Sequence, residues 1–169
     1  MCIEKFQQID PTDIRDNAFS MIGDEWMLVT AGTPDSFNTM TASWGGVGVL
    51  WGQKAATIYI RPQRYTFEFL EKNDYFTLSF FGNAHRDALA LCGSKSGRDI
   101  DKAQATGLTP AAVDHTVCFE EARLVYVCKK LYYQDFEPAN FLDSTIEKNY
   151  PQQDYHRMYI GGIEKVLSR

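Results

Sequence analysis

The sequence predicts a mainly β fold with short helices, most of its strands antiparallel and curled into a barrel. Three observations lead there. Apolar and polar side chains alternate in short segments bounded by glycine, proline, asparagine and aspartate, the pattern of strands and tight turns. Helical patterning is confined to short stretches between them. The chain has 169 residues, 44% hydrophobic and 14% aromatic, which is the size of one domain with one core, here taken as 1–169.

In chain order, Pro11 to Ala18 has weak helical character that Asp10 can cap, and reads as a leading arm. Trp26 to Ala31 is a strand closed by the turn cluster Gly32-Thr33-Pro34-Asp35, so the next strand returns as a hairpin. Ala55 to Ile60 is a further strand, ended by Pro62, which cannot donate to a ladder. From Tyr65 to Lys72 the apolar residues Tyr65, Phe69 and Leu70 fall near one helical face, with Asn73 as a left-handed stop.

Tyr75 to Phe81 is a strand with Thr77 and Ser79 on one face. Asn83 is expected to cap a short helix from Ala84 to Leu91, and a second helix spans Asp99 to Ala105, ended by Gly107 and Pro110. Ala122 to Tyr133 is a long strand whose apolar centre, Leu124 to Cys128, implies burial on both faces. After a stretch with Pro138, Pro151 and a short helix, His156 to Leu167 closes the fold as a strand, with a bulge at Gly161-Gly162.

Composition excludes several classes. The net charge of -5 opposes general attraction to nucleic acid, which requires a basic face to neutralise phosphates. No apolar run approaches the roughly 20 residues that cross a bilayer. The N-terminus has no basic region followed by an apolar one, so a cytoplasmic protein is expected. Cys2, Cys92, Cys118 and Cys128 are widely spaced, and His85, His115 and His156 have no metal-ligand spacing, so no metal site is expected.

Two stretches carry chemistry. In Asp35 to Trp51, Thr39, Thr41 and Ser43 alternate with Met40, Ala42 and Trp44, so one face offers hydroxyls and the other enters the core. Gly45, Gly46 and Gly48 follow at once, where backbone can approach something flat. An anionic, planar cofactor suits this pattern; a half-buried edge strand ending in a glycine turn accounts for it as well. The second stretch, Cys92-Gly93-Ser94-Lys95-Ser96-Gly97-Arg98, gathers hydroxyls and cations before the start of a helix, yet lacks the Gly-Lys-Ser/Thr order of a Walker A loop.

Four motifs in register from Trp26 onward resemble the flavin reductase-like family, in particular its flavoredoxin branch. They are Asn38-Thr39-Met40-Thr41-Ala42-Ser43-Trp44, Tyr59-Ile60-Arg61-Pro62 with Arg64-Tyr65-Thr66, Thr77-Leu78-Ser79-Phe80, and Cys92 to Asp99. The resemblance implies an FMN-binding split β-barrel of Greek-key, antiparallel type. It also implies a homodimer with the flavin near the subunit interface.

By position it assigns Asn38, Thr39, Met40, Thr41, Ala42, Ser43, Trp44 and Ser79 to the flavin, and Arg61, Arg64, Tyr65, Ser94, Lys95 and Ser96 to its phosphate end. His156 lies where many members place a histidine beside the flavin, although most carry Asp or Gly-Asp just before it and this chain has Tyr155. His156 is therefore the expected catalytic residue. Peptide nitrogens of Gly45 to Gly48 would serve the pyrimidine end of the ring. The implied activity is hydride transfer from NADH or NADPH to flavin; the alternative is an electron carrier reduced by a protein redox partner.

Overall fold

The computed structural model describes residues 5–169, so Cys2 lies outside the described residues. Among the described residues ten strands form: β1 (Gln7–Ile9), β2 (Met27–Thr33), β3 (Ser36–Ala42), β4 (Gly45–Leu50), β5 (Gln53–Ile60), β6 (Tyr75–Phe80), β7 (Pro110–Val113), β8 (Thr116–Phe119), β9 (Leu124–Asp135) and β10 (Arg157–Ser168). Three α-helices lie between them: α1 (Tyr65–Lys72), α2 (Arg86–Ser94) and α3 (Lys102–Thr106). Eight strands make one sheet in the order β3-β2-β6-β9-β10-β5-β4, with β1 added to the far half of β10, and every pairing is antiparallel. The expected antiparallel β architecture with short helices is the one this chain adopts.

The sheet curls around a core of Met27, Val29, Ile58, Phe76, Leu78, Tyr126 and Tyr159, sealed by Leu70 of α1. On the outer face of β2 and β9 a second core gathers Leu28, Val125 and Val127 with Phe119 of β8 and Leu89 and Cys92 of α2. Period two explains the division, because odd and even positions of β9 feed opposite cores. The two-sided burial expected for Leu124 to Cys128 is thus satisfied within the chain, and no partner is needed to cover that strand.

Several local expectations are corrected. Gly45, Gly46 and Gly48 belong to β4, which pairs residue for residue with β5, rather than to a turn. A Cβ on Gly45 would lie 2.9 Å from both Met27 Cε and Thr57 O, so close packing requires that glycine. The turn falls later, at Trp51-Gly52, where φ of 52° and 71° are those of a two-residue type I′ hairpin.

Asn73 is extended rather than left-handed and reaches back with its side chain to donate to Phe69 O. Asn83 caps nothing: a 3₁₀ turn over Gly82–His85 comes first, and α2 runs from Arg86 through Cys92-Gly93-Ser94. Consequently only four residues of the Cys92–Arg98 stretch form a loop. The helix after it begins at Lys102, capped by the Asp101 side chain, and ends at left-handed Gly107.

Asp10 does cap, accepting from Thr12 N at 2.8 Å, but the arm is only a 3₁₀ turn, Pro11–Asp13, followed by a π-helical turn at Ser20–Asp24. The register of β10 against β9 shifts between Ile160 and Gly161, which is the expected bulge. The β7–β8 hairpin was not foreseen. Among the described residues no helix is long and apolar enough to cross a membrane.

Candidate functional site

The end of β3 and the bend after it bring Met40, Thr41, Ala42, Ser43 and Trp44 to one cavity of about 170 Å³, closed by Tyr59, Arg61, Arg64 and His156. β3 stops at Ala42, so the alternation does not carry Trp44 into the core as the period of two predicts. Instead Trp44 is half exposed and packs on the imidazole of His156, ring centres 5.3 Å apart. Thr41 is committed to the scaffold, its hydroxyl donating to Leu89 O of α2 at 2.5 Å.

His156 stands just before β10 and is buried. Its Nδ1 lies 2.7 Å from Tyr150 Oη. Burial pushes the imidazole down to about 4, and Arg61 adds to this while Asp154 opposes it, so the ring is neutral at pH 7. Tyr155 stands just before this histidine, and the nearest carboxylate in sequence is Asp154. Asp154 accepts from Arg61 Nη1 at 2.7 Å and from Gln63 at 2.5 Å, leaving the histidine to Tyr150.

A second pocket of about 210 Å³ adjoins the first. Arg64 lines both. The last turn of α2 and the loop behind it supply Ser94, Lys95 and Ser96, the start of α1 supplies Tyr65 and Thr66, and Asn38 and Lys102 form the floor. Lys95 is exposed, its backbone N–H donates to Leu91 O at 2.9 Å, and its ammonium has no hydrogen bond or ion pair among the described residues. Ser96 Oγ accepts from Arg98 N at 3.1 Å and keeps its own proton to donate, whereas Ser94 donates back to Ala90 O of its helix. Gly97 closes the wall: a Cβ there would meet Asn38 Oδ1 at 1.9 Å.

Lys102 was not singled out in the sequence. Buried, it donates to Thr39 O at 2.7 Å and Cys92 O at 2.9 Å, tying β3 to the end of α2. Burial lowers its ammonium to about 8, with Cys92 opposing and Arg64 adding to the shift. Its position as the first residue of a short helix was the available signal, obscured by starting that helix at Asp99.

Four expected assignments change. Arg61 faces the aromatic cavity rather than the phosphate pocket, held by Asp154 and by Asn149 O, with its guanidinium 5.0 Å from the Tyr150 ring centre. Thr39 is buried, its hydroxyl sharing a 2.8 Å hydrogen bond with Thr30, so it serves the β2–β3 ladder. Ser79 is fully buried between β2 and β9 and lines neither pocket. Gly45 to Gly48 pair with β5 along one side of β4, the edge strand of the sheet, and line neither pocket. Asn38 is buried but reaches the second pocket, its amide donating to Thr66 Oγ1 at 2.8 Å.

Beyond Trp44 and Tyr59 opens a larger cleft of about 550 Å³, walled by Phe19, Ile22, Phe136, Ile146 and Tyr150 and lined by no lysine or arginine. Among the described residues no cluster of histidine, cysteine, aspartate or glutamate could hold a metal ion.

Comparison with known proteins agrees with this geometry. No curated protein matches the chain. Solved structures do. An FMN-binding domain of flavin reductases-like enzyme from Shewanella baltica superposes with a TM-score of 0.69 at 18% identity, covering 96% of this chain and 76% of that one. The flavoredoxin of Desulfovibrio vulgaris (Miyazaki F) gives 0.67 at 23% identity, over 85% of this chain and 69% of that one. The FMN-binding protein of Thermus thermophilus with bound 1-cyclohex-2-enone gives 0.67 at 22%, over 95% and 76%. At these identities the likeness speaks for the split-barrel fold. The family model for the flavin reductase like domain matches residues 20–166, a span that holds both pockets, β2 to β9 and all but the last two residues of β10, and the chain therefore belongs to that family.

Proposed function

We propose that this protein binds FMN, its flat ring in the cavity of Thr41, Ser43, Trp44, Arg61 and His156 and its phosphate among Arg64, Lys95 and Ser96. The observation that carries this reading is Arg64, which lines an aromatic-walled cavity on one side and a cationic, hydroxyl-bearing pocket on the other. The donor set fits a phosphate dianion: Arg64, Lys95 and the carbonyl-bound Lys102 line the pocket with the Ser96 hydroxyl, and no carboxylate is in its lining. When bound, FMN supplies the redox chemistry, and the protein contributes binding and alignment. Trp44 offers a flat face, and His156 a neutral ring beside it.

The reaction this supports best is hydride transfer from NADH or NADPH to flavin. Anaerobic mixing of the FMN-loaded protein with each nucleotide tests it: loss of the yellow absorbance is expected. Bleaching by dithionite alone would replace the reductase with an electron carrier. That second reading has its own support, because the cleft beside Trp44 offers no cation for the diphosphate of a nicotinamide dinucleotide.

A homodimer belongs to the same proposal. Its support moves from the Leu124–Cys128 strand to an exposed patch in which Trp51 meets Tyr132 at 6.2 Å, with Val49, Leu131 and Tyr133 nearby in sequence. Light scattering at micromolar concentration should give twice the chain mass; the monomer mass would refute it. The three described cysteines are buried and unbridged, as suits the reducing cytoplasm expected for it.

A further inference from the structure

Nothing in the flavin reading accounts for Tyr150. It follows the 3₁₀ segment Ser144–Asn149, outside the β-sheet, and its side chain is nonetheless buried. Phe141 stacks on its ring with planes 8° apart, Tyr155 lies 4.9 Å away, and the guanidinium of Arg61 sits on its face. This cage fixes the ring so that Oη meets His156 Nδ1 at 2.7 Å.

Both partners are neutral at pH 7. Burial raises the Tyr150 phenol above its ordinary value, Arg61 opposing and Asp154 and Glu147 adding to it, and burial lowers His156. The pair therefore shares a single proton in its hydrogen bond, and the question is which residue gives it. If Nδ1 carried the proton, the phenol would have to donate elsewhere, and Tyr150 Oη has no other partner among the described residues. If the phenol donates to Nδ1, its proton is satisfied and the imidazole proton must sit on Nε2. Nδ1 is occupied by Tyr150, so Nε2 is the nitrogen left for the cavity that His156 lines.

We propose that Tyr150 is a positioning residue that holds His156 in its Nε2-protonated tautomer, so that the cavity receives a fixed N–H donor suited to a carbonyl or carboxamide oxygen. This deepens the flavin reading above. Ring carbonyls of a flavin and the carboxamide of a nicotinamide share that acceptor chemistry. His156 acts there as a hydrogen-bond donor, not as an acid, because a neutral imidazole gives up its proton too reluctantly to protonate a ligand near pH 7.

The test begins on the flavin-free protein, so its outcome is independent of whether FMN or a nicotinamide is the true ligand. Nitrogen-15 NMR of the histidine ring at pH 7 should show Nδ1 as the unprotonated, accepting nitrogen and Nε2 as the protonated one. A protonated Nδ1, or an equal mixture of tautomers, overturns the proposal. Tyr150→Phe keeps the caged ring and removes the hydroxyl. It should shift His156 toward mixed tautomers and lower the rate of flavin reduction about 5- to 10-fold, with FMN affinity within twofold.

Tyr155→Phe, which removes a hydroxyl bonded to Glu147 in the same aromatic cluster, should change neither. An unchanged tautomer in Tyr150→Phe refutes the assignment, as does an equal loss of rate in both variants. Should Tyr150→Phe fail to fold, the wild-type spectrum alone decides. Should the protein never react with NADH or NADPH while Nε2 carries the proton, the positioning role stands and only the reductase reading falls.

Discussion

Lys95 and Lys102 flank one pocket and are opposite in kind. Lys95 is exposed and unpaired among the described residues, a mobile charge available to an incoming anion. A charge-assisted hydrogen bond contributes about 1.5–3 kcal/mol when shielded, and solvent places Lys95 at the low end of that range. Lys95→Met should therefore weaken FMN about 10-fold in a fluorescence titration while leaving riboflavin, which lacks the phosphate, nearly unaffected. Equal loss for both ligands would remove Lys95 from the phosphate. Lys102 is different, because its ammonium is already consumed by two backbone carbonyls and it acts by holding the pocket's floor in place. Substituting it should cost stability first and affinity only as a consequence.

At the scale of elements, the loop between α2 and α3 is the part of the site with least tolerance. Gly97 leaves no room for a methyl group, since its Cβ would fall 1.9 Å from Asn38 Oδ1 and 3.2 Å from the Tyr65 ring. Gly97→Ala must push the loop outward, and we expect FMN affinity to fall at least as far as in Lys95→Met, with the melting temperature changed by only a few degrees. A protein that melts far lower would mean that the loop supports the core.

That loop also shows what a sequence can and cannot disclose. Its serines and lysine were legible as a pocket because cations and hydroxyls beside glycines have few other uses. Its boundaries were not, because Cys92-Gly93-Ser94 continues a helix whose interior glycine argued for a break. The strands read well where alternation is clean, as in β5 and α1's neighbour β6. β4 was missed because three glycines in six residues hide a strand, and the crowding that explains the first of them, Gly45, comes from Met27 and Thr57, which are not its neighbours in sequence. Thr39 was over-read, since a hydroxyl on a strand face has the same pattern whether it serves a ligand or a cross-strand bond, and Ser79 was over-read because its buried hydroxyl reaches neither pocket and bonds to no described group.

For the molecule as a whole, two buried bases shape stability against pH. His156 has a folded value of about 4 against an ordinary 6.5, so between those limits the unfolded chain takes up a proton that the folded chain refuses. Acidification from pH 6.5 to 4 should cost on the order of 2–3 kcal/mol of unfolding free energy from this group, and His156→Gln should flatten that part of the urea-derived profile. Lys102, lowered from 10.5 to about 8, works at the other end with the same sign: stability rises with pH between 8 and 10.5. The destabilisation caused by Lys102→Met should therefore be larger at pH 10 than at pH 7.5; equal penalties would mean that its ammonium is not desolvated.

β10 pairs with β9, β5 and β1, and each of those strands precedes it in the chain. The sheet therefore has a seam that can be sewn only after its last strand has been made. Until then β9 and β5 each present a bare edge rich in apolar side chains, the kind of surface that recruits other chains. Closing the seam joins Gln7 to Ser168 across nearly the full described sequence, a contact of the class that slows barrels to milliseconds or seconds. The interval between emergence and closure is thus when this protein is most exposed to aggregation, and a chaperone or a slower synthesis rate would act there rather than on the finished fold.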